Sequence, residues 1–340
     1  MKRLTRTRFV ATVASLVLIA IASSLIGLLT GPSALSPGDV VGALLDPAAS
    51  GAAGDIVLRI RLPRVLLALL VGASLATSGV VFQALLHNPL ADPYVLGISG
   101  GAALAGIAML SLGAAVGFGA DAVPPAAFAG SALATFALYA VAGAGGRVSP
   151  TSLLLTGVVF NAFASAAIVF LASIAGLAEG ARIFLWLIGN LSAAAFGSAW
   201  LVASFLGIGF AVALVLARSL NLLALGDETA EHLGVATERH KRWLLGATAL
   251  MVGAAVSVAG LVGFVGLIIP HLLRLVIGAD HRLLVPSAAL AGGTFLVVCD
   301  TVARTALGGR ELPVGAITAI VGGPLFLWLL RSHQHRVFTP

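Results

Sequence analysis

The chain has 340 residues, of which 59% are hydrophobic and 9% charged, with a mean hydropathy of +1.10. An average soluble domain carries about 25% charged residues, and 19 basic plus 13 acidic side chains are too few to coat a soluble core of this size. A water-soluble protein is excluded, and the net charge of +6 is a statement about membrane topology, not about nucleic acid.

In chain order, apolar segments near the roughly 20 residues needed to cross a bilayer run over Phe9–Leu29, Val65–Leu86, Tyr94–Leu112, Val123–Ala144, Thr151–Ala175, Ala194–Ala217, Trp243–Leu261, Gly263–Ile277, Val285–Ala303 and Pro313–Leu330. These ten segments predict one all-α integral membrane domain spanning residues 1–340. The eighth is short, with Pro270, His271 and Arg274 in its second half, and reads as a half-helix packed on protein. The first follows Lys2, Arg3, Arg6 and Arg8, but its apolar run exceeds that of a signal peptide, so a retained helix is expected.

With that basic cluster inside, ten crossings place both termini in the cytoplasm. Arg147, the four basic residues between Arg218 and Arg242, Arg274, Arg282, Arg331 and Arg336 then also lie inside, and six arginines lie outside. Arg59, Arg61 and Arg64 precede the second span, and Arg182, Arg304 and Arg310 share their side. Two readings stay open on spacing: snorkelling or local pairing, as for Asp300 with Arg304 at i, i+4 and Arg310 beside Glu311, or a rim that docks an acidic partner through guanidinium forks.

Two polar interruptions stand out. LHNPLADPYVLG, residues 86–97, breaks the chain with Asn88, Pro89, Asp92 and Pro93, where prolines fix the backbone and withhold N–H groups; His87 reads as a boundary residue. Residues 218–243 hold the largest insertion, with the pattern of two short amphipathic helices: Leu222, Leu223 and Leu225 form the first apolar face, Gly226 breaks it, Asp227 or Thr229 caps the second, and Gly234 turns the chain. Four acids (Asp227, Glu228, Glu231 and Glu238) argue against an interfacial lipid helix and for a handle that a soluble partner grips.

Absences narrow the chemistry. Neither lysine sits in a P-loop, so ATP hydrolysis by that route is excluded; the His333/His335 pair lacks a metal-site context, and Cys299 is read as a packed small residue. The spans hold almost no mid-membrane ionisable residue of the sort proton-coupled carriers use. Glycines recur with Ala and Ser at small-xxx-small spacing, for example Gly72, Ala76 and Gly79, which predicts close helix packing.

RLPRVLLALLVGASLATSGVVFQALLHNPLADPYVLGISGGA, GFVGLIIPHLLRL with the following ADHR, DTVAR, and RELPVGAITAIVGGPLFLWLL together resemble the FecCD-type permeases of type II ABC importers for iron siderophores, haem and cobalamin. The likeness extends from about Arg59 to Arg331, with a matching first helix ahead of it. It implies a homodimer of ten helices per subunit in the lipid of the bacterial cytoplasmic membrane. Two ATP-binding subunits would sit beneath it and a periplasmic or lipoprotein binding protein above. No cofactor and no nucleic acid would be bound by this chain, and ATP and Mg would be used by the partner subunit.

Carried over residue by residue, the resemblance implies that Arg61, Arg64 and Arg304 receive binding-protein glutamates, leaving Arg59, Arg182 and Arg310 at the local reading. Asn88 and Leu90 would help form the inner gate, with a second element at Pro150 and Thr151. There the chain departs from the cobalamin permeases, which carry a hydroxyl residue at the position of Pro150. Residues 221–240 match the coupling helices, with Asp227, Glu228, Ala230 and Gly234 as ATPase contacts. The implied activity is alternating-access import of a metal chelate, a ferric siderophore or haem, with cobalamin as the alternative cargo and a secondary transporter as the rival class.

Overall fold

The computed structural model describes residues 5–33, 35–46, 51–143, 148–307 and 310–337. Lys2, Arg3, Ala144 and Arg147, and the His333 and His335 side chains, lie outside the described residues. The described residues hold fifteen α-helices: α1 Arg6–Leu29, α2 Pro37–Leu45, α3 Gly51–Asp55, α4 Leu62–Leu85, α5 Ile98–Leu112, α6 Val123–Ala142, α7 Pro150–Ile174, α8 Leu177–Ile188, α9 Phe196–Val215, α10 Ala217–Leu223, α11 Asp227–His232, α12 Thr237–Ala259, α13 Val265–Ile277, α14 His281–Thr305 and α15 Val314–Val337. Seven helical runs are long and apolar enough to cross a membrane, and three shorter apolar helices (Ile98–Leu112, Val265–Ile277 and Val314–Trp328) complete the ten expected segments.

The centre of the bundle is α4, in which every residue from Val71 to Leu85 is buried. It packs against α14, α9, α13 and α12, while α5 packs with α6 and α7, and α1 lies on α14. Glycine makes these approaches possible. A Cβ on Gly72 would overlap the Gly292 carbonyl of α14, and one on Gly79 would overlap the Gly266 carbonyl of α13, so the small residues read from the sequence set backbone-to-backbone contact. In contrast, α1 and α7 turn most of their apolar side chains outward, Leu18 and Phe163 among them, which suits lipid as the outer solvent.

Several boundaries differ from the sequence expectation, each for a local reason. The second span does not begin at Val65: helix runs without a break from Gly51 to Leu85, through a π-helical stretch at Ile56–Arg61. Pro63 has no N–H to give the carbonyl four residues back, and just ahead of it the ladder widens to i→i−5, with the Leu62 N–H bonding the Val57 carbonyl. The third span starts at Ile98, not Tyr94, because residues 86–97 remain non-helical. The sequence reading missed α2, held by a capping box between Ser36 and Asp39, and α8, which lies between the fifth and sixth spans. At 13 residues α13 is only about 20 Å long, too short to cross alone, as its Pro270 and polar residues led one to expect.

Candidate functional site

One end of the bundle is closed by charge. Arg64 reaches from α4 to α14, its Nε 3.0 and 3.1 Å from the two carboxylate oxygens of Asp300, and its Nη1 donates to Glu311 at 2.8 Å. Arg304 pairs with Asp300 at 3.0 Å and donates to the Gly27 and Thr30 carbonyls at 3.1 and 3.2 Å. Arg61 donates to Leu28, Leu29 and Ser33 carbonyls at 2.7, 3.1 and 2.5 Å. Carbonyls in the last turn of a helix have no intrahelical partner, and these guanidinium groups supply one for α1. All three arginines are under 5% exposed.

At the opposite end the 86–97 loop is built from one motif used twice. Asn88 Oδ1 accepts the Leu90 N–H at 2.9 Å, and Asp92 Oδ1 accepts the Tyr94 N–H at 2.9 Å. Each acid or amide is followed by a proline that offers no donor, so the side chain turns to the next N–H, an Asx turn in both cases. Burial pushes the Asp92 carboxyl up to about 6 against the opposing pull of the Tyr94 N–H.

Two side chains from elsewhere hold this loop, and one of its own reaches out. Gln83 Nε2 donates to Ala91, Gly266 and Leu267 carbonyls at 3.3, 3.4 and 3.1 Å, while its Oε1 accepts from Arg274. Pro270 cannot bond the Gly266 carbonyl as a helical N–H would, and Gln83 reaches that oxygen instead. Asn161 of α7 donates to the Tyr94 and Val95 carbonyls at 2.7 and 3.2 Å. The Tyr94 hydroxyl in turn accepts the Val262 N–H, in the non-helical break between α12 and α13 where that donor has no helical partner.

Beside the loop lie α10 and α11. Gly226, with φ +114, separates them, and Gly234, with φ +83, ends the second. Asn221 Nδ2 donates to Asp280 Oδ1 at 3.1 Å and its Oδ1 accepts the His281 N–H at 2.8 Å, fastening α10 to the start of α14. Hydrogen bonds from Arg282 and Asn221 hold the Asp280 carboxyl down at about 2. Asp227 pairs with Lys241 at 2.5 Å.

The FecCD transport family matches residues 12–332. The chain belongs to this family. The cobalamin import system permease protein of Halobacterium salinarum is 46% identical, covering 83% of this chain and 74% of that protein. The hemin transport system permease protein of Yersinia pestis is 42% identical over 83% of this chain and 85% of its own length. A solved structure described as an inward-facing conformation of a metal-chelate type ABC transporter superposes with a TM-score of 0.83 at 29% identity, covering 94% of this chain and 98% of that one. This FecCD permease is therefore a transport subunit of an ABC importer, a class that works with ATPase and binding-protein partners.

The structure of the FecCD permease sorts the residues singled out from the sequence. Arg61, Arg64 and Arg304 come together, but with their guanidinium groups turned inward onto carbonyls, Asp300 and Glu311. Of the local pairs, Asp300–Arg304 forms; Glu311 pairs with Arg64 instead of with its neighbour Arg310, and Arg59 pairs with Asp55 at 3.0 Å. Asn88 and Leu90 sit half-buried in the loop, and Pro150 and Thr151 open α7 behind the N-cap Ser149, whose side chain accepts the Ser152 N–H at 3.0 Å.

In the insertion, Glu228 and Gly234 are exposed, Ala230 is fully buried, and Asp227 faces Lys241. The first helix is shifted to Ala217–Leu223 and leaves Leu225 exposed at 66%; no side chain caps α11, whose N-cap is Gly226. His87 is not merely a boundary residue. Its φ is +50 and its ring bonds the Leu223 carbonyl at 2.7 Å. Gln83, Asn161, Asn221 and Lys241 were missed as well, because their partners are 59 or more positions away or are bare carbonyls, except for Asp227, 14 positions before Lys241. Only the repeated Asx-Pro pair and Pro270 carried a local signal.

Proposed function

We propose that this permease imports a metal chelate into the cytoplasm by alternating access, and that among chelates it carries a metal held in a tetrapyrrole-type macrocycle. The observation that carries the cargo class is that relatives at 46% and 42% identity are named for cobalamin and hemin. Ferric siderophores, expected beside haem from the sequence, are the comparison substrate. The working assembly is two copies of this chain in the bacterial cytoplasmic membrane, both termini cytoplasmic, with two ATP-binding subunits that hydrolyse ATP and one binding protein.

Within it, the exposed face of α11 with Glu228, and the turn after it with Gly234, meets the ATPase, while Asp227 and Ala230 fix the seat of the helix. Asn88, Leu90, Pro150 and Thr151 form the inner gate. Arg61, Arg64 and Arg304 serve docking of the binding protein: three guanidinium groups against two carboxylates leave a positive surplus at that end, which attracts an acidic lobe. Each partner shifts the access equilibrium only by its differential affinity for the two conformations.

ATP-driven uptake into proteoliposomes holding this chain with its ATP-binding and binding-protein partners tests the reading, with cobalamin, haem and a ferric siderophore offered separately. Uptake of a macrocycle alone is the expected result. Uptake of the siderophore alone would overturn the cargo, and ATP-independent uptake would overturn the importer.

A further inference from the structure

The α10–α11 segment touches both proposed gate segments through two side chains that the import mechanism above does not use. Lys241, at the start of α12, is 2% exposed, and its ammonium donates to Asp227 Oδ2 at 2.5 Å and to the Val148 carbonyl at 2.8 Å, with Glu238 at 3.7 Å. An ammonium has three donors and no acceptor, and here two are given to the Asp227 carboxylate and the Val148 carbonyl, with the Glu238 carboxylate a longer ionic contact. That carbonyl stands directly ahead of Ser149, Pro150 and Thr151. One side chain thus joins α11 to the root of α7.

His87 does the same for the other segment. A carbonyl only accepts, so the ring Nε2 must carry the proton it gives to Leu223 at 2.7 Å. Leu223 is the last residue of α10, and its carbonyl accepts the Gly226 N–H at 3.0 Å as well as the His87 ring. The same nitrogen lies 4.0 Å from Asp227 Oδ1. To place the ring there, His87 adopts φ +50, a conformation that is uncommon for a non-glycine residue and that the surroundings must hold in place. His87 immediately precedes Asn88 and the first Asx-Pro turn, which is stiff enough to be displaced as a unit.

We infer that Lys241 and His87 are positioning residues that carry movement of α10–α11 separately to the two gate segments, Lys241 to residues 148–151 and His87 to residues 88–93. The inference rests on the reading of α10–α11 as the ATPase-facing segment. Its new content is that the stroke divides at Asp227 into two independent arms. Removing one arm should then silence one gate segment and spare the other, a pattern that a general loss of packing does not produce.

The test uses the full complex in proteoliposomes with wild type, Lys241→Met and His87→Asn. Methionine keeps the length of Lys241 without its donors. Asparagine tolerates a positive φ but is too short to reach Leu223. Uptake per ATP and nucleotide-dependent hydrogen exchange in peptides covering 86–97 and 148–153 are read together. Lys241→Met is expected to abolish the nucleotide-dependent change in 148–153 while leaving that in 86–97, and His87→Asn the reverse, each with ATPase within about twofold of wild type and uptake per ATP down about tenfold.

If Lys241→Met does not fold, Lys241→Ala in a complex assembled at low temperature serves, with Lys241→Arg expected to restore the 148–153 response. Both responses surviving in both variants, or both vanishing together in either, overturns the inference. So does a wild-type complex that transports with no response in either segment. A wild-type complex without ATP-dependent uptake instead overturns the importer reading itself.

Discussion

The two ends of the bundle use charge in opposite ways. At the arginine end, five charged side chains from the π-helical stretch, α4, α14 and the loop after it are spent on one another and on carbonyls at the end of α1. At the α10–α11 end, a six-residue helix between two positive-φ glycines hangs on a few polar contacts and turns Glu228 to the surface. Burying paired charge makes the removal of one partner costly. A short helix with little buried surface can be displaced at far lower cost. One end is built to keep its shape, and the other can change its shape without unfolding what lies behind it.

The largest effect that would break this contrast is at Asp300. Asp300→Ala strands two buried guanidinium groups and should cost about 3–5 kcal/mol, seen as a large drop in the thermal midpoint of the detergent-solubilised protein. A small drop would show that the cluster is not a lock. Arg61→Ala leaves the Leu28, Leu29 and Ser33 carbonyls without their donor, a loss of about 1–3 kcal/mol, and hydrogen exchange should rise at the junction of α1 and residues 30–33. Exchange unchanged there would mean that α1 is held by packing alone.

At the other end the effects are smaller and fall on function. Asn161→Ala frees the Tyr94 and Val95 carbonyls and should cost about 1–2 kcal/mol, with uptake reduced more than ATPase; equal losses in both would place Asn161 outside the gate. Asp92 sharpens the comparison through pH. Its raised carboxyl favours the protonated form, so its stabilising contribution is present below the ordinary carboxylate range and is lost as pH rises through about 6. Asp92→Asn keeps the acceptor for Tyr94, and its thermal midpoint should fall less than wild type between pH 5 and pH 7. Asp280, held down at about 2, is lost only as pH falls toward that value, so it does not enter this window. The smallest effect on stability is expected at Glu228→Ala, within about 0.5 kcal/mol, with uptake per ATP lowered; a stability loss of the Asp300 kind would erase the distinction between the ends.

The ten apolar segments, the half-helix at Pro270 and the two short helices around Gly226 were legible in the sequence because each leaves a local mark: hydropathy over a span, a proline, a glycine between charged residues. Boundaries shifted where the mark was ambiguous. RIRLPR reads as a polar lip, yet Arg61 and Arg64 are satisfied inside the bundle by groups 28 to 247 positions away, only Arg59 stays at the surface beside Asp55, and a helix continues through it. For the same reason Arg61, Arg64 and Arg304, for which spacing left two readings open, form an inward-facing cluster. Asn161 and Gln83 look like ordinary polar residues in apolar helices until the carbonyls they serve are seen, and those belong to other segments.

The π-helical stretch at Ile56–Arg61 bears on how the chain tolerates changes of length. Its i→i−5 ladder takes up one residue more than an α-helix of the same rise. Deleting a residue between Ile56 and Ile60 would tighten the stretch into ordinary helix, so that α3 keeps its direction about the axis and the α4 seam beyond Arg61 keeps its register. The stretch therefore acts as a buffer of chain length. A change of one residue at that lip can be absorbed there without re-threading a single span.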